Sequence, residues 1–118
     1  MFKKFLKKFQ KKHEKSPEIN LNILYLILKS VLENNYDYQF RIGSRKFIRS
    51  EIYKTKIDLI FSDGGNEHIL SLTKNLTNVY KGVWEVQAIW IDEANYINLT
   101  NDHEKIYDRI LENCLETI

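Results

Sequence analysis

The chain is expected to fold as an α+β two-layer sandwich: an N-terminal helix, a five-stranded antiparallel meander sheet and a C-terminal helix, preceded by a basic amphipathic arm. Three observations predict this. Apolar residues recur at helical spacing toward both ends, they alternate with polar residues through the middle, and glycine-bearing turns separate the alternating stretches.

Residues 1–15 form the arm. As a helix they would align Phe2, Phe5, Leu6 and Phe9 in one stripe, with Lys3, Lys4, Lys7, Lys8, Lys11 and Lys12 around the rest. Residues 16–118 make the single domain. Ser16 is a candidate N-cap, Pro17 suits the first helical position, Glu18 complements the helix dipole, and Asn34-Asn35 end the helix. The apolar run Ile19–Leu32 contains Asn20, Asn22 and Lys29 and is too short and polar to span a bilayer, so it reads as a buried helix.

Tyr36, Tyr38, Phe40 and Ile42 alternate with polar residues, and Gly43-Ser44 turns the chain into Arg45–Tyr53. Ile57, Leu59 and Phe61 mark the third strand. Asp63-Gly64-Gly65-Asn66 is the strongest hairpin signal, returning through His68–Thr73. Lys74–Gly82 reads as a polar connection before the longest strand, Val83–Ile91, in which Trp84, Val86, Ala88 and Trp90 share one phase. Thr100 or Asn101 caps the last helix, whose apolar face is Ile106, Tyr107, Ile110, Leu111, Cys114 and Leu115. Both helices are expected on one sheet face, with the other partly open.

Charge is segregated. The arm carries seven lysines and one glutamate, leaving a mildly acidic body although the whole chain is +2. A strongly basic body, as in a dedicated DNA-binding domain, is absent. The lone Cys114 cannot form an internal disulfide, and lysines interrupt any apolar leader, so a cytoplasmic location is expected, with membrane-surface contact as the alternative. The sequons at Asn75 and Asn98 then read as Asn-rich loops.

Catalytic patterns are sparse. His13, His68 and His103 lack partners at metal-ligand spacing and read as surface or capping residues. Cys114 falls in the apolar phase of the last helix, far from an N-terminus that would activate a thiolate. Gly64-Gly65 lacks the lysine-bearing helix of a phosphate loop. No metal or cofactor is therefore expected. The stretch Lys56-Ile57-Asp58-Leu59-Ile60-Phe61, followed by a hairpin and a strand, resembles the start of the metal-binding core of the PD-(D/E)xK nucleases. That resemblance implies a second acidic residue and a lysine on the next strand to hold and use Mg²⁺. Here that strand reads Ser71-Leu72-Thr73, and only Glu85-Val86-Gln87, one strand later, offers an acid. An active enzyme is not expected.

The open sheet phase gathers charged residues, with Arg41, Arg45, Arg49, Asp58 and Glu85 as the candidate partner-binding set. Mixed Arg and carboxylate groups suit protein recognition better than base stacking. The expected function is a small cytoplasmic inhibitor of the immunity-protein or phage anti-defence type, binding a toxin or defence enzyme. The alternative is a membrane or nucleic-acid adaptor working through the arm, and a metal-dependent nuclease comes third.

Overall fold

The computed structural model describes residues 16–35, 39–93 and 96–116. The arm at 1–15, with its six candidate lysines, and the expected strand residues Tyr36 and Tyr38 lie outside them.

Helix α1 spans Leu21–Leu32 and so begins later than Ser16-Pro17 predicts. The cap is Asn20, whose side chain accepts from the backbone N–H groups of Asn22 and Ile23 at 3.0 and 3.2 Å. Residues 16–19 are used differently. The Pro17 carbonyl accepts the Trp90 indole N–H at 2.9 Å, which lays this segment across the end of the sheet. At the other end Asn34 adopts φ 54° and the Asn35 N–H returns to the Ser30 carbonyl at 2.9 Å, so the asparagine pair does end the helix.

The sheet is an antiparallel meander of six strands in sequence order: β1 Arg41–Ile42, β2 Arg45–Ile52, β3 Lys56–Asp63, β4 Asn66–Asn78, β5 Val83–Trp90 and β6 Tyr96–Asn98. It curls toward a half-barrel. The sixth strand is the three-residue β6, too short to leave an alternating signature in the sequence. β4 also runs past Thr73 to Asn78, because Leu76 pairs with Trp84 and Asn78 with Val83. Asn75 and Asn98 consequently sit on strands rather than in loops.

Helix α2, Asn101–Glu116, follows directly, with Thr100 as its N-cap: the Thr100 carbonyl takes the first helical bond from Glu104 at 3.0 Å. Both helices cover one sheet face. Leu24, Ile27, Leu28 and Val31 of α1 and Tyr107 and Ile110 of α2 join Phe47, Ile57, Leu59, Phe61, Leu70, Leu72, Val86, Ala88 and Trp90 in one core. The Phe61 ring meets Trp90 edge-on at 5.2 Å between centroids. Each large apolar side chain so buried contributes about 1.5–3 kcal/mol, which supports the fold without crosslinks. His103, expected at the surface or as a cap, is buried. It hydrogen-bonds the Thr100 hydroxyl on one side and the Leu21 carbonyl on the other, at 2.8 Å, and thereby ties α2 to the start of α1. Among the described residues no helix is long and apolar enough to cross a membrane.

Candidate functional site

Strand alternation places one row of side chains away from the helices, and neighbouring strands keep those rows in register. Arg41 faces Lys46 and then Ser62; Arg49 faces Ile60; Glu51 faces Asp58, which faces Ser71; Thr73 faces Gln87, which faces Asn98; Asn75 faces Glu85. A β-bulge between Phe47 and Arg49 lets β2 point Phe47 into the core and Arg49 outward.

These rows are joined by polar contacts. Arg49 grips Glu67 through two parallel bonds of 3.0 and 3.3 Å, and its Nε lies 3.5 Å from Glu51. The hydrogen bond to Glu67 holds the Arg49 guanidinium above its usual pKa and in turn holds the Glu67 carboxyl below the usual range. Tyr53 donates to Glu51 at 3.0 Å, and this bond raises the pKa of the Tyr53 phenol. Glu51 and Asp58 are like charges directly opposite, an arrangement that costs stability unless compensated. Arg49 compensates the first and Lys56, 3.3 Å from Asp58, the second.

Asp58 is buried. Ser71 donates to its carboxylate at 2.7 Å, and Ile60 beside it is also covered. Further along, Gln87 is buried between Asn75, which donates to it at 2.8 Å, and Asn98, to which it donates at 2.6 Å. The surface is thus a polar lattice in which these side chains hold one another by hydrogen bonds and ion pairs.

The five expected partner-binding residues separate. Arg41, Arg49, Asp58 and Glu85 do share the face away from the helices, but Asp58 is buried with Ile60 and Ser71, so only Arg41, Arg49 and the half-buried Glu85 reach solvent. Arg45 does not: it pairs with Ile42 on the core side, is only 6% exposed, stacks its guanidinium 4.4 Å from the Trp90 ring centroid and meets Asp92 at 3.3 Å. The phase of β2 decides this, since Arg45 is two residues before the inward Phe47. Arg41 lines an open hollow of about 550 Å³ with Ser44, Lys46, Ile48, Ser62 and Asp63. Among the described residues the side chains of Arg41 and Glu85 have neither an ion pair nor a hydrogen-bond partner.

The carboxylates of the nuclease-like pattern are not brought together. Asp58 and Glu85 lie two strands and four residues apart on the face, on the order of 15 Å, whereas ligands of one cation lie within about 2.6 Å of it. Among the described residues no three His, Cys, Asp or Glu side chains converge on a point. His68 instead contacts Asp92 at 3.3 Å, and Cys114 is half-buried in a hollow with Val31, Leu32, Ile52 and Ile110.

A second exposed feature is the far end of the β4–β5 hairpin. Leu76 and Trp84 lie in the core phase but beyond the reach of the helices, and Trp84 is 58% exposed while Trp90 of the same phase is buried. Val79 and Tyr80 at the turn and Val83 are exposed as well.

Sequence reasoning missed Glu51, Glu67 and Asn98 on the polar face, although Glu51 and Glu67 could have been found by extending the phase of Asp58 across the hairpins. The hairpin extension carried one usable signal, Leu72 and Leu76 in a single strand phase, which Lys74 between them and the polar composition around them masked. In comparisons with known proteins, no family model matches the chain, and no curated protein or solved structure is significantly similar to it.

Proposed function

We propose that the protein is a small protein-binding inhibitor of the immunity-protein or phage anti-defence type, which neutralises a toxin or defence enzyme by covering its functional surface. The observation that carries this reading is the sheet face turned away from the helices: a lattice of fixed charges bounded by two charged groups, Arg41 and Glu85, with no partner among the described residues. Side chains already held in place lose little entropy on association, and complementary charges supply specificity and register. Arg41 in its hollow suits a carboxylate of the partner. Glu85 suits a lysine or arginine.

The test is affinity capture from the organism that encodes the protein, followed by binding measurements with the captured partner. A one-to-one protein complex that inactivates the partner is expected, with Arg41→Ala, Arg49→Ala or Glu85→Ala each costing on the order of 2–5 kcal/mol where the contact is buried. If all three variants bind normally and only removal of residues 1–15 abolishes the interaction, the adaptor function through the arm replaces this proposal.

A further inference from the structure

The β5 edge is only partly occupied. β6 pairs with Gln87, Ala88 and Ile89, and among the described residues no strand lies beside Val83–Glu85. At the boundary the backbone of Val86 is fully used from that side: its N–H donates to the Glu104 carboxylate at 2.8 Å and its carbonyl accepts from the Leu99 N–H at 2.8 Å. In a strand, backbone groups two residues apart point the same way, so the N–H and carbonyl of Trp84 face the open edge.

Bare edges invite pairing, and proteins usually blunt them with a lysine, a proline or a covering segment. Here the cover stops at Leu99 and the exposed stretch reads Val83-Trp84-Glu85, with the strand-favouring residues Val and Trp and no proline. The two sides of the edge differ. Trp84 with Leu76 forms an apolar shelf on the helix side, and Glu85 stands on the other, while the Glu104 carboxylate adds negative charge at the boundary.

We infer that the β5 edge at Val83–Glu85 docks an extended segment of a partner protein, which adds a strand and alternates apolar residues against Trp84 and Leu76 with basic residues against Glu85. An extended backbone replaces water at the Trp84 N–H and carbonyl together, which is why the occupant is taken to be an extended chain. The Glu85 carboxylate on the face away from the helices makes the segment's residues on that side basic. This deepens the proposed inhibitor function by naming the chemistry of a partner segment, and it rests on that reading only in taking the occupant to be protein.

The test needs no captured partner. A capped peptide of sequence Val-Lys-Val-Lys-Val-Lys is titrated into the ¹⁵N-labelled full chain, with Val-Glu-Val-Glu-Val-Glu as its counterpart. The basic peptide is expected to shift the Trp84 and Glu85 amide resonances saturably, and the acidic one to bind at least about tenfold more weakly. Trp84→Pro deletes the edge N–H without touching the β4 pairing and is expected to abolish binding; should it unfold the hairpin, Glu85→Lys serves instead, with a reversed preference between the two peptides. The inference is overturned if neither peptide shifts these amides, if the shifts map to another surface, or if light scattering shows a dimer with the Trp84 amide protected from exchange, which would make a second copy the occupant. Failure here leaves the inhibitor proposal to its Arg41 and Arg49 variants, and their failure leaves this edge test unaffected.

Discussion

The Arg45 guanidinium lies 4.4 Å from the centroid of the Trp90 ring, and its Nη2 reaches Asp92 at 3.3 Å. Around this stack, Asp92 also meets His68 at 3.3 Å and the Ser16 hydroxyl at 3.4 Å, while Pro17 takes the Trp90 indole N–H. Burial alone would push the Asp92 carboxyl up, yet its own backbone N–H bond, Arg45 and His68 together hold it below the usual range. One end of the sheet is therefore closed by an arginine that covers a tryptophan, with the entering chain segment laid over both.

Arg45 should consequently matter for stability and Arg41 should not. Arg45→Ala removes a buried aliphatic stem and its ring contact and is expected to cost about 2–3 kcal/mol. Arg45→Met keeps apolar cover on Trp90 and also removes Nη1, which has no hydrogen-bond partner, so its cost should stay below about 1 kcal/mol. Arg41→Ala, on the exposed face, should fall within about 0.5 kcal/mol of the parent. Urea unfolding of the three variants decides the matter, and equal losses at positions 41 and 45 would contradict the placement of Arg45.

Gly43 is the tightest point of the same closure. Its φ is +61°, and a Cβ there would sit 2.6 Å from the Pro17 Cβ. Gly43→Ala combines left-handed strain with a displaced Pro17, which loosens the Trp90 bond, and should cost about 2–4 kcal/mol. Gly82→Ala is the internal comparison: φ is +63° but nothing lies within 4 Å, so only the strain of about 1–2 kcal/mol is expected. Thermal unfolding with Trp fluorescence should show the larger drop, and an earlier red shift, for the Gly43 variant.

Alkaline pH should unfold the protein through Tyr107. Burial first, and Asp108 second, push this phenol up to about 12, and its hydroxyl donates to the Thr55 carbonyl at 3.1 Å. The folded pKa is raised above the ordinary phenol value of 10.0, so the folded state favours the protonated phenol. That contribution is complete below pH 10 and is lost as pH rises from there through about 12. Tyr107→Phe should lose the Thr55 bond at neutral pH and show a flatter decline of stability across that window. An equally steep decline in the variant would assign the alkaline transition to other groups.

The sequence by itself determined the element types and their order. The stripe Leu24, Ile27, Leu28 and Val31 marks a helix with one buried face, the run Ile57, Leu59, Phe61 a strand with one apolar face, and Asp63-Gly64-Gly65-Asn66 joins adjacent antiparallel strands because glycine tolerates the positive φ that the turn needs. The phase of Arg41, Asp58 and Glu85 also placed these residues on the polar face, since alternation is a local property. The tertiary structure alone decided what depends on neighbours distant in sequence. Trp84 and Trp90 share a phase, yet only Trp90 lies under the helices, because β5 extends beyond the helical cover. Arg45 is buried because Trp90 and Asp92 arrive beside it from the far end of the sheet, a contact over more than forty residues that no local pattern encodes. The start of α1 follows the same logic: Pro17 could begin a helix, but its carbonyl is taken by Trp90, so Asn20 becomes the cap. Local periodicity specifies which face a residue belongs to; only packing determines whether that face is covered, and by what.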